Sequence, residues 1–374
     1  MKKSFVVLQK DLLLHLSAMQ PICSKRTTLD ATSYILMQVG YKELILKSTD
    51  LEISLQSSCI LENSNLDEPQ TILVSGKRLF DLVKELDGAI EFEIASTQLT
   101  VKSGGINVSL NIKSSEEFPP FPERIENLMD LQASFLVNML NRVAFLIPQN
   151  NSNPALNGLF LEINSKELKM TTTDGHCLAQ AKTEKCKLSE GEKKWLLPKR
   201  AIIEVKKLLE QAKDASVFLG ECGNQLVFSG EQFNFFTKLL AQSFPEYSPI
   251  LNKTDFIPAR LAKNDLVKSL RRSNCLLSGQ FIATKFEFEK EALNVYMQNK
   301  EVGELKEKLN LEEFTGSKLD IRFYAPYLLS GLQAFDEEQI NFSLRDNSRP
   351  IIFESDKDDC KLIYLVMPVS PTNI

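Results

Sequence analysis

The sequence holds only two histidines, His15 and His176, one tryptophan, and no cysteines at C-x-x-C spacing. Each scarcity removes a class of function. The histidines lie far apart and no H-E-x-x-H run occurs, so the usual donor patterns of a zinc site are missing. The seven cysteines (Cys23, Cys59, Cys177, Cys186, Cys222, Cys275 and Cys360) are scattered and odd in number, which fits free thiols of a reducing compartment better than a disulfide framework. No G-x-S-x-G, Walker A or dinucleotide glycine pattern is present, so the common hydrolase, phosphate-loop and nicotinamide chemistries have no motif to rest on. No apolar run approaches the ~20 residues of a membrane span. The apolar start of the chain is interrupted by Gln9, Lys10 and Asp11, and no small-residue cleavage site follows it. The expectation is a cytoplasmic protein that needs neither cofactor nor metal and is not an enzyme.

What the chain does have is core-forming material. With 374 residues, 43% of them hydrophobic, 25% charged and 23 of them phenylalanine, it is too long for one ordinary core and has the composition of two or three folded domains.

The strongest pattern is a repeat at about one third of the length. Helical spacing of apolar residues recurs over Phe5 to Met19, Leu131 to Leu146 and Ala259 to Cys275. An alternating hairpin follows each: Ile35 to Val39 with Leu44 to Ser48, Leu159 to Ile163 with Leu168 to Thr172, and Thr284 to Phe288 with Leu293 to Met297. The hairpin tips Lys42-Glu43-Leu44, Lys166-Glu167-Leu168 and Glu291-Ala292-Leu293 lie 124 and then 125 residues apart. A second helix comes next, beginning near Gly76, Pro198 and Pro326, then more strands, and each third closes at a proline: Phe118 to Pro122, Phe244 to Tyr247, and Met367-Pro368. Two helices and roughly eight strands per unit predict an α+β fold of three tandem similar domains, helices packed on antiparallel sheets. The expected boundaries are 1–124, 125–250 and 251–374.

Net charge is −5, yet its distribution is uneven. The six helical segments carry a net +8 and the rest of the chain −13. If equivalent helices face the same way, one surface is basic, as sequence-independent phosphate contact requires. Arg26, Lys77, Arg78, Lys199, Arg200, Lys263, Lys268, Arg271 and Arg272 are the candidate DNA-facing residues. Solvated helix faces are the plain alternative for any single helix. No base-reading motif is evident.

Over essentially its whole length the chain resembles the bacterial DNA polymerase sliding clamp, the beta subunit. The residues that carry the resemblance are Leu156-Asn157-Gly158, Thr173-Asp174-Gly175-His176 with Leu178, Phe244-Pro245-Glu246-Tyr247, and Tyr364 to Pro368. The resemblance implies a closed ring of two head-to-tail chains around double-stranded DNA, helices inside and sheets outside, acting as a processivity factor. It also implies a groove where short linear peptides of the replicative polymerase, the clamp loader and other replication or repair proteins dock. Carried over residue by residue, that groove would use Leu156, Thr173, Gly175, His176, Leu178, Pro245, Ile250, Pro350, Leu365, Val366, Met367 and Pro368. The dimer interface would use Leu82, Leu86, Lys102, Val108 and Leu110 against the partner's Cys275, Leu276, Leu277, Glu301 and Glu304. Two departures stand out: Cys177 occupies a position that is commonly basic in the family, and the loop 149–155 is asparagine-rich. The tail from Ser370 to Ile374 runs past the family's usual end.

Two other readings remain beside this one. Asp174 next to His176 would suit general acid–base chemistry if the side chains converged, which predicts an enzyme. A scaffold that forms a ring without DNA would keep the repeats but lose salt-sensitive DNA retention.

Overall fold

A computed structural model of the chain describes residues 3–24, 27–279 and 281–369. The first third runs β1 (Lys3–Leu8), α1 (Gln9–Cys23), β2 (Tyr34–Val39), β3 (Glu43–Thr49), β4 (Ile53–Ile60), β5 (Asn63–Asn65), β6 (Gln70–Ser75), α2 (Gly76–Lys84), β7 (Ala89–Ile94), β8 (Gln98–Ser103) and β9 (Ile106–Lys113). The middle third runs β10 (Glu126–Gln132), α3 (Ala133–Val143), β11 (Gly158–Asn164), β12 (Leu168–Thr173), β13 (Cys177–Thr183), β14 (Glu192–Pro198), α4 (Lys199–Ala212), β15 (Ser216–Cys222), β16 (Gln225–Ser229) and β17 (Phe233–Lys238). The last third runs β18 (Ile257–Ala262), α5 (Lys263–Asn274), β19 (Thr284–Glu289), β20 (Ala292–Asn299), β21 (Gly303–Asn310), β22 (Leu319–Phe323), α6 (Ala325–Leu332), β23 (Gln339–Leu344), β24 (Ile351–Lys357) and β25 (Cys360–Val366).

Apart from the short β5, the three thirds share one plan: strand, helix, four strands, helix, three strands. The repeat extends to single hydrogen bonds. The amide that opens each third's first helix donates to the carbonyl just before the first strand after its second helix: Gln9 N to Gly88 O at 2.8 Å, Ala133 N to Ala215 O at 3.0 Å, and Lys263 N to Glu338 O at 2.8 Å. The expected hairpins form in register, with Val39 opposite Leu44, Ile163 opposite Leu168 and Phe288 opposite Leu293.

The expected first helix of each third begins too early. Phe5 and Val7, Leu131, and Ala259 and Leu261 belong to β1, β10 and β18, and the helices open at Gln9, Ala133 and Lys263. In β1 and β18 the buried residues alternate, the period of a strand with one face on a core. A strand that runs straight into an amphipathic helix presents apolar residues compatible with both periods at the join.

Sheets pass from one third to the next. β4 pairs antiparallel with β17 (Leu55 opposite Phe235), within a thirteen-stranded sheet. β13 pairs the same way with β25 (Ala179 opposite Tyr364), within an eight-stranded sheet, and β21-β20-β19-β22 form a third sheet. By contact density the chain divides into two compact units. One holds residues up to Leu136 with Ile203–Leu239, the other Val137–Ile202 with the residues from Leu240 on. The cut passes through the middle third because each of its sheets is hydrogen-bonded to a neighbouring third.

His15 lies on the buried face of α1 and shares a short hydrogen bond with Ser57 of β4, whose hydroxyl also reaches the Gln232 carbonyl at 3.1 Å. Burial holds its pKa below 6.5, and Asp11 only partly offsets this. A histidine kept neutral by folding supports stability above its unfolded pKa, and that support is lost as pH falls through the lower folded value. The urea midpoint should therefore fall on acidification below pH 6.5, and His15→Gln should flatten that dependence. An identical pH profile in the variant would rule His15 out as the cause.

Candidate functional site

The turn Thr173-Asp174-Gly175-His176 joins β12 to β13, and its polar atoms are spent on its own backbone. Asp174 Oδ1 accepts from His176 N at 2.8 Å and Cys177 N at 2.7 Å, while Thr173 Oγ1 accepts from Gly175 N at 3.1 Å. Gly175 sits at φ +94°, a conformation that favours glycine. A carboxylate committed in this way to an Asx turn is a structural group. The His176 ring points elsewhere, stacked on Tyr327 at 5.4 Å. The imidazole–carboxylate pairing required by the enzyme reading is not formed.

β13 carries the chain from that turn alongside β25, with Leu178 opposite Leu365, and β25 lies beside β24, with Leu365 opposite Ile352. Cross-strand partners project to the same face, so Leu178, Leu365 and Ile352 form one buried apolar row. Tyr247, Ile250, Leu251, Phe256, Ile363 and Met367 pack against it while only partly buried. Met367 is fixed where β25 ends by its amide, which donates to the His176 carbonyl at 2.9 Å. The result is an apolar shelf with an adaptable methionine at its edge, suited to aliphatic and aromatic anchors of an extended peptide.

Of the expected groove residues, Leu178, Ile250, Leu365 and Met367 are brought together here. Leu156 is buried, and its Cδ1 lies 3.8 Å from where a Cβ on Gly175 would stand. Thr173 serves the turn, Pro350 is buried just before β24, and Pro368 follows Met367 half-buried. Pro245 is exposed between two anchors: Phe244 stacks on Phe160 at 4.9 Å, and the Tyr247 hydroxyl bonds Glu162. Val366 needs correction. Alternation sends it to the face of Tyr364, where it is fully buried, so only its backbone can border the shelf. Ile352, Leu251, Phe256 and Ile363 were missed. Reading β24 and β25 as a hairpin in register would have found Ile352, since it stands opposite Leu365.

The asparagine-rich loop is built. Asn157 Oδ1 accepts from Asn151 N at 2.7 Å, its amide group donates to Asn151 O at 3.1 Å, and Asn151 Nδ2 reaches the Asp174 carbonyl at 3.4 Å. The loop thus braces the turn that starts β13. Cys177, at the position commonly basic in the resembled family, is buried, and burial raises its thiol pKa.

The basic residues divide into two groups. Lys77, Arg78, Lys268 and Arg271 are exposed on α2 and α5, with no ion-pair partner among the described residues. Lys199 and Lys263 instead donate to carbonyls beyond the preceding or following helix, Ile147 O at 2.7 Å and Phe335 O at 2.6 Å. An ammonium there satisfies an orphan carbonyl, so these two are corrected to structural capping groups. Arg272 is held by Glu307, and Arg200 also has a partner. Arg26 lies outside the described residues, as does the tail from Ser370.

Among the expected interface residues, Leu86 and Leu277 are buried in their own chain and Lys102 is bonded to Glu93. All three therefore already have contacts within their own chain. Leu82, Val108, Leu110 and Leu276 are half-buried, whereas Cys275, Glu301 and Glu304 are exposed. Two of the open strand edges carry these residues. β9 meets β6 only at Ile112 and Lys113, so 106–111 lack a neighbour on that side, and β21 pairs only with β20.

No helix among the described residues is long and apolar enough to cross a membrane. Sequence models of the DNA polymerase III beta subunit match the chain in three consecutive stretches: the N-terminal domain over 3–122, the central domain over 130–246 and the C-terminal domain over 256–370. A beta sliding clamp from Pseudomonas aeruginosa is 29% identical over 370 residues, covering 98% of this chain and 99% of its own. One from Chlamydia muridarum is 24% identical, with 98% of each chain covered. A solved DNA polymerase sliding clamp from Pseudomonas aeruginosa, with ligand, superposes with a TM-score of 0.89 at 27% identity over 98% of this chain and 99% of that one. The Bacillus subtilis sliding clamp shares the fold, with a TM-score of 0.90 at 20% identity over 99% of this chain and 100% of that one. Three domain matches in chain order, together with relatives alike from end to end, make this chain a member of the DNA polymerase III beta-subunit family, the sliding clamps.

Proposed function

We propose that this clamp works in the cytoplasm as a head-to-tail homodimer of three-domain chains, divided at 1–124, 125–250 and 251–374, that encircles duplex DNA. It tethers the replicative polymerase, and in turn the clamp loader and other replication or repair proteins, by short peptides docked on the shelf between β13 and β25. It is a processivity factor and catalyses nothing. The observation that carries the reading is the repeated strand pairing. The fourth counted strand of the first third (β4) pairs with the last strand of the middle third (β17), and its counterpart in the middle third (β13) pairs with the last strand of the last third (β25). The counterpart in the last third is β21, and the last strand of the first third is β9; each has an open edge among the described residues. A heterologous contact between them uses each edge once and closes on a second copy. The repeat also sets the register. Leu55, Ala179 and Leu305 are equivalent, as are Val108, Phe235 and Tyr364, so Val108 stands opposite the partner's Leu305.

Contact with DNA should rest on Lys77, Arg78, Lys268 and Arg271. Replacing all four by alanine should reduce the slope of log retention on circular DNA against log salt by about 0.9 for each phosphate contact removed. Lys199→Ala and Lys263→Ala should instead lower the melting temperature, since they uncap carbonyls. A salt slope unchanged in the fourfold variant would refute the placement.

The shelf is tested by peptide competition. Met367→Ala with Leu178→Ala should weaken polymerase and loader peptides together by about 2 kcal/mol or more, leaving dimerisation intact. Leu178 is buried, so Met367→Ala alone serves as the arm free of folding effects. Two peptides bound to one protomer without competing would show that the site lies elsewhere.

A further inference from the structure

The turn and strand pairing that build the shelf occur a second time, inside the first compact unit. Thr49-Asp50-Leu51-Glu52 joins β3 to β4 as Thr173-Asp174-Gly175-His176 joins β12 to β13. Asp50 Oδ1 accepts from Glu52 N at 3.0 Å and Ile53 N at 2.8 Å, and Thr49 Oγ1 accepts from Leu51 N at 3.1 Å. These bonds repeat the later turn one for one. Where β17 ends, Lys238 N donates to the Glu52 carbonyl at 2.9 Å, as Met367 N does to that of His176 where β25 ends. Ser54, Phe236 and Val227 stand opposite one another across β4, β17 and β16, the row that Leu178, Leu365 and Ile352 fill in the shelf. Phe121, from the segment that matches Phe244 to Tyr247, lies edge-on to Phe236 at 5.6 Å.

The scaffold is shared, but the chemistry on it differs. Ser54 stands in the place of Leu178, and Lys238 in that of Met367. One rung from Ser54 on the same face, Lys47 stands opposite Gln56 and holds its Nζ 5.2 Å from the centre of the half-buried Phe121 ring. Lys47 and the exposed Lys238 have no ion-pair partner among the described residues, whereas Glu52 already has a partner. Leu51 takes the place of Gly175 at φ +75°, a conformation disfavoured for leucine, and is 41% exposed. Backbone strain of this kind gathers at functional surfaces, and here it holds an apolar side chain in solvent beside two unspent ammonium groups.

We propose that this junction of β4 and β17 is a second docking surface, whose occupant is an extended acidic peptide. One aliphatic or aromatic residue lies over Phe121 and Leu51, and flanking carboxylates meet Lys47 and Lys238. Charge complementarity selects that occupant. A neutral peptide with two deep apolar anchors finds a hydroxyl and an ammonium where the shelf offers leucine and methionine. The inference rests on the shelf being a peptide site, since both surfaces are built to one plan. Partners would then be sorted between them by the charge of their docking segments.

The test follows three fluorescein-labelled probes by polarisation: Asp-Asp-Phe-Asp-Asp, its amide form Asn-Asn-Phe-Asn-Asn, and a neutral hexapeptide with leucine and phenylalanine anchors for the shelf. The acidic probe should bind about tenfold more tightly than its amide form, the scale of two exposed ion pairs. Lys47→Ala with Lys238→Ala should erase that gain, as should high salt, while Met367→Ala weakens the shelf probe and leaves the acidic one unchanged. Melting temperatures confirm that the variants are folded. If the shelf probe binds but the acidic probe gains nothing over its amide form, or keeps its gain in the lysine variant, or loses it in Met367→Ala, the second surface is wrong and the shelf stands. A labelled DNA duplex that loses affinity in the lysine variant while the acidic probe does not would assign the lysines to phosphate and overturn the proposal. If the shelf probe itself fails to bind the parent, the shelf reading falls and the second surface with it.

Discussion

Val108→Asp is expected to leave the chain monomeric, with a mass in solution of 42.3 kDa by light scattering, and unable to stay on closed circular DNA. In the register derived from the repeat, Val108 faces the partner's Leu305, and both positions are half-buried residues flanked by exposed ones. A short carboxylate there removes apolar burial and is itself desolvated without a partner, a combined cost of several kcal/mol at each of two equivalent contacts. The isolated chain should lose little stability, because Val108 is only half-buried in it. A second arm fixes the register itself. With Cys275 replaced by serine, Ser109→Cys with Glu304→Cys should yield a covalent dimer on oxidation, since the two positions would face each other within disulfide range. Ser109→Cys with Lys306→Cys, displaced by two residues, should not. Equal cross-linking of both pairs, or a Val108→Asp dimer of undiminished stability, would dismiss this interface.

How far the sequence alone leads depends on the range of the interactions involved. The hairpins β2–β3, β11–β12 and β19–β20 were legible because alternation and a polar tip are local signals, and the threefold recurrence made each support the others. Helix starts were misplaced by a few residues, since β1 and β18 hand an apolar period of two directly to a period near 3.6. The positive charge of the helices was readable as a sum but not residue by residue. Lys199 and Lys263 look identical in sequence to Lys77, and only the nearness of Ile147 O and Phe335 O shows that they are caps. The shelf required the resemblance, because Leu178, Leu365 and Ile352 meet through pairings between residues as far apart as the 187 that separate Leu178 from Leu365. Val366 was misassigned for a simpler reason: consecutive residues of a strand cannot both face the same side.

Gly331→Ala should be the most damaging single methyl group in the last third. A Cβ at this position of α6 would lie 1.9 Å from Cε1 and 2.1 Å from Cδ1 of the Tyr364 ring, far inside contact distance. The ring cannot yield: Tyr364 is fully buried, its hydroxyl donates to the Tyr327 carbonyl at 2.7 Å, and Phe145 and Phe353 flank it at 5.9 and 6.5 Å. The helix must therefore lift from β25, and overpacking of this kind costs ~3 kcal/mol. Gly88→Ala is the matched control, because a Cβ there meets nothing within 4 Å and its φ of +70° brings only a conformational penalty of about 1 kcal/mol. Denaturant midpoints should separate the two clearly. Tyr364 precedes Leu365 in β25, so the Gly331 variant should also lose peptide affinity, although no residue that faces the peptide has changed. A Gly331→Ala protein as stable as the Gly88→Ala control would mean that α6 does not press on β25 at this point, and the shelf would then owe its shape to the strands alone.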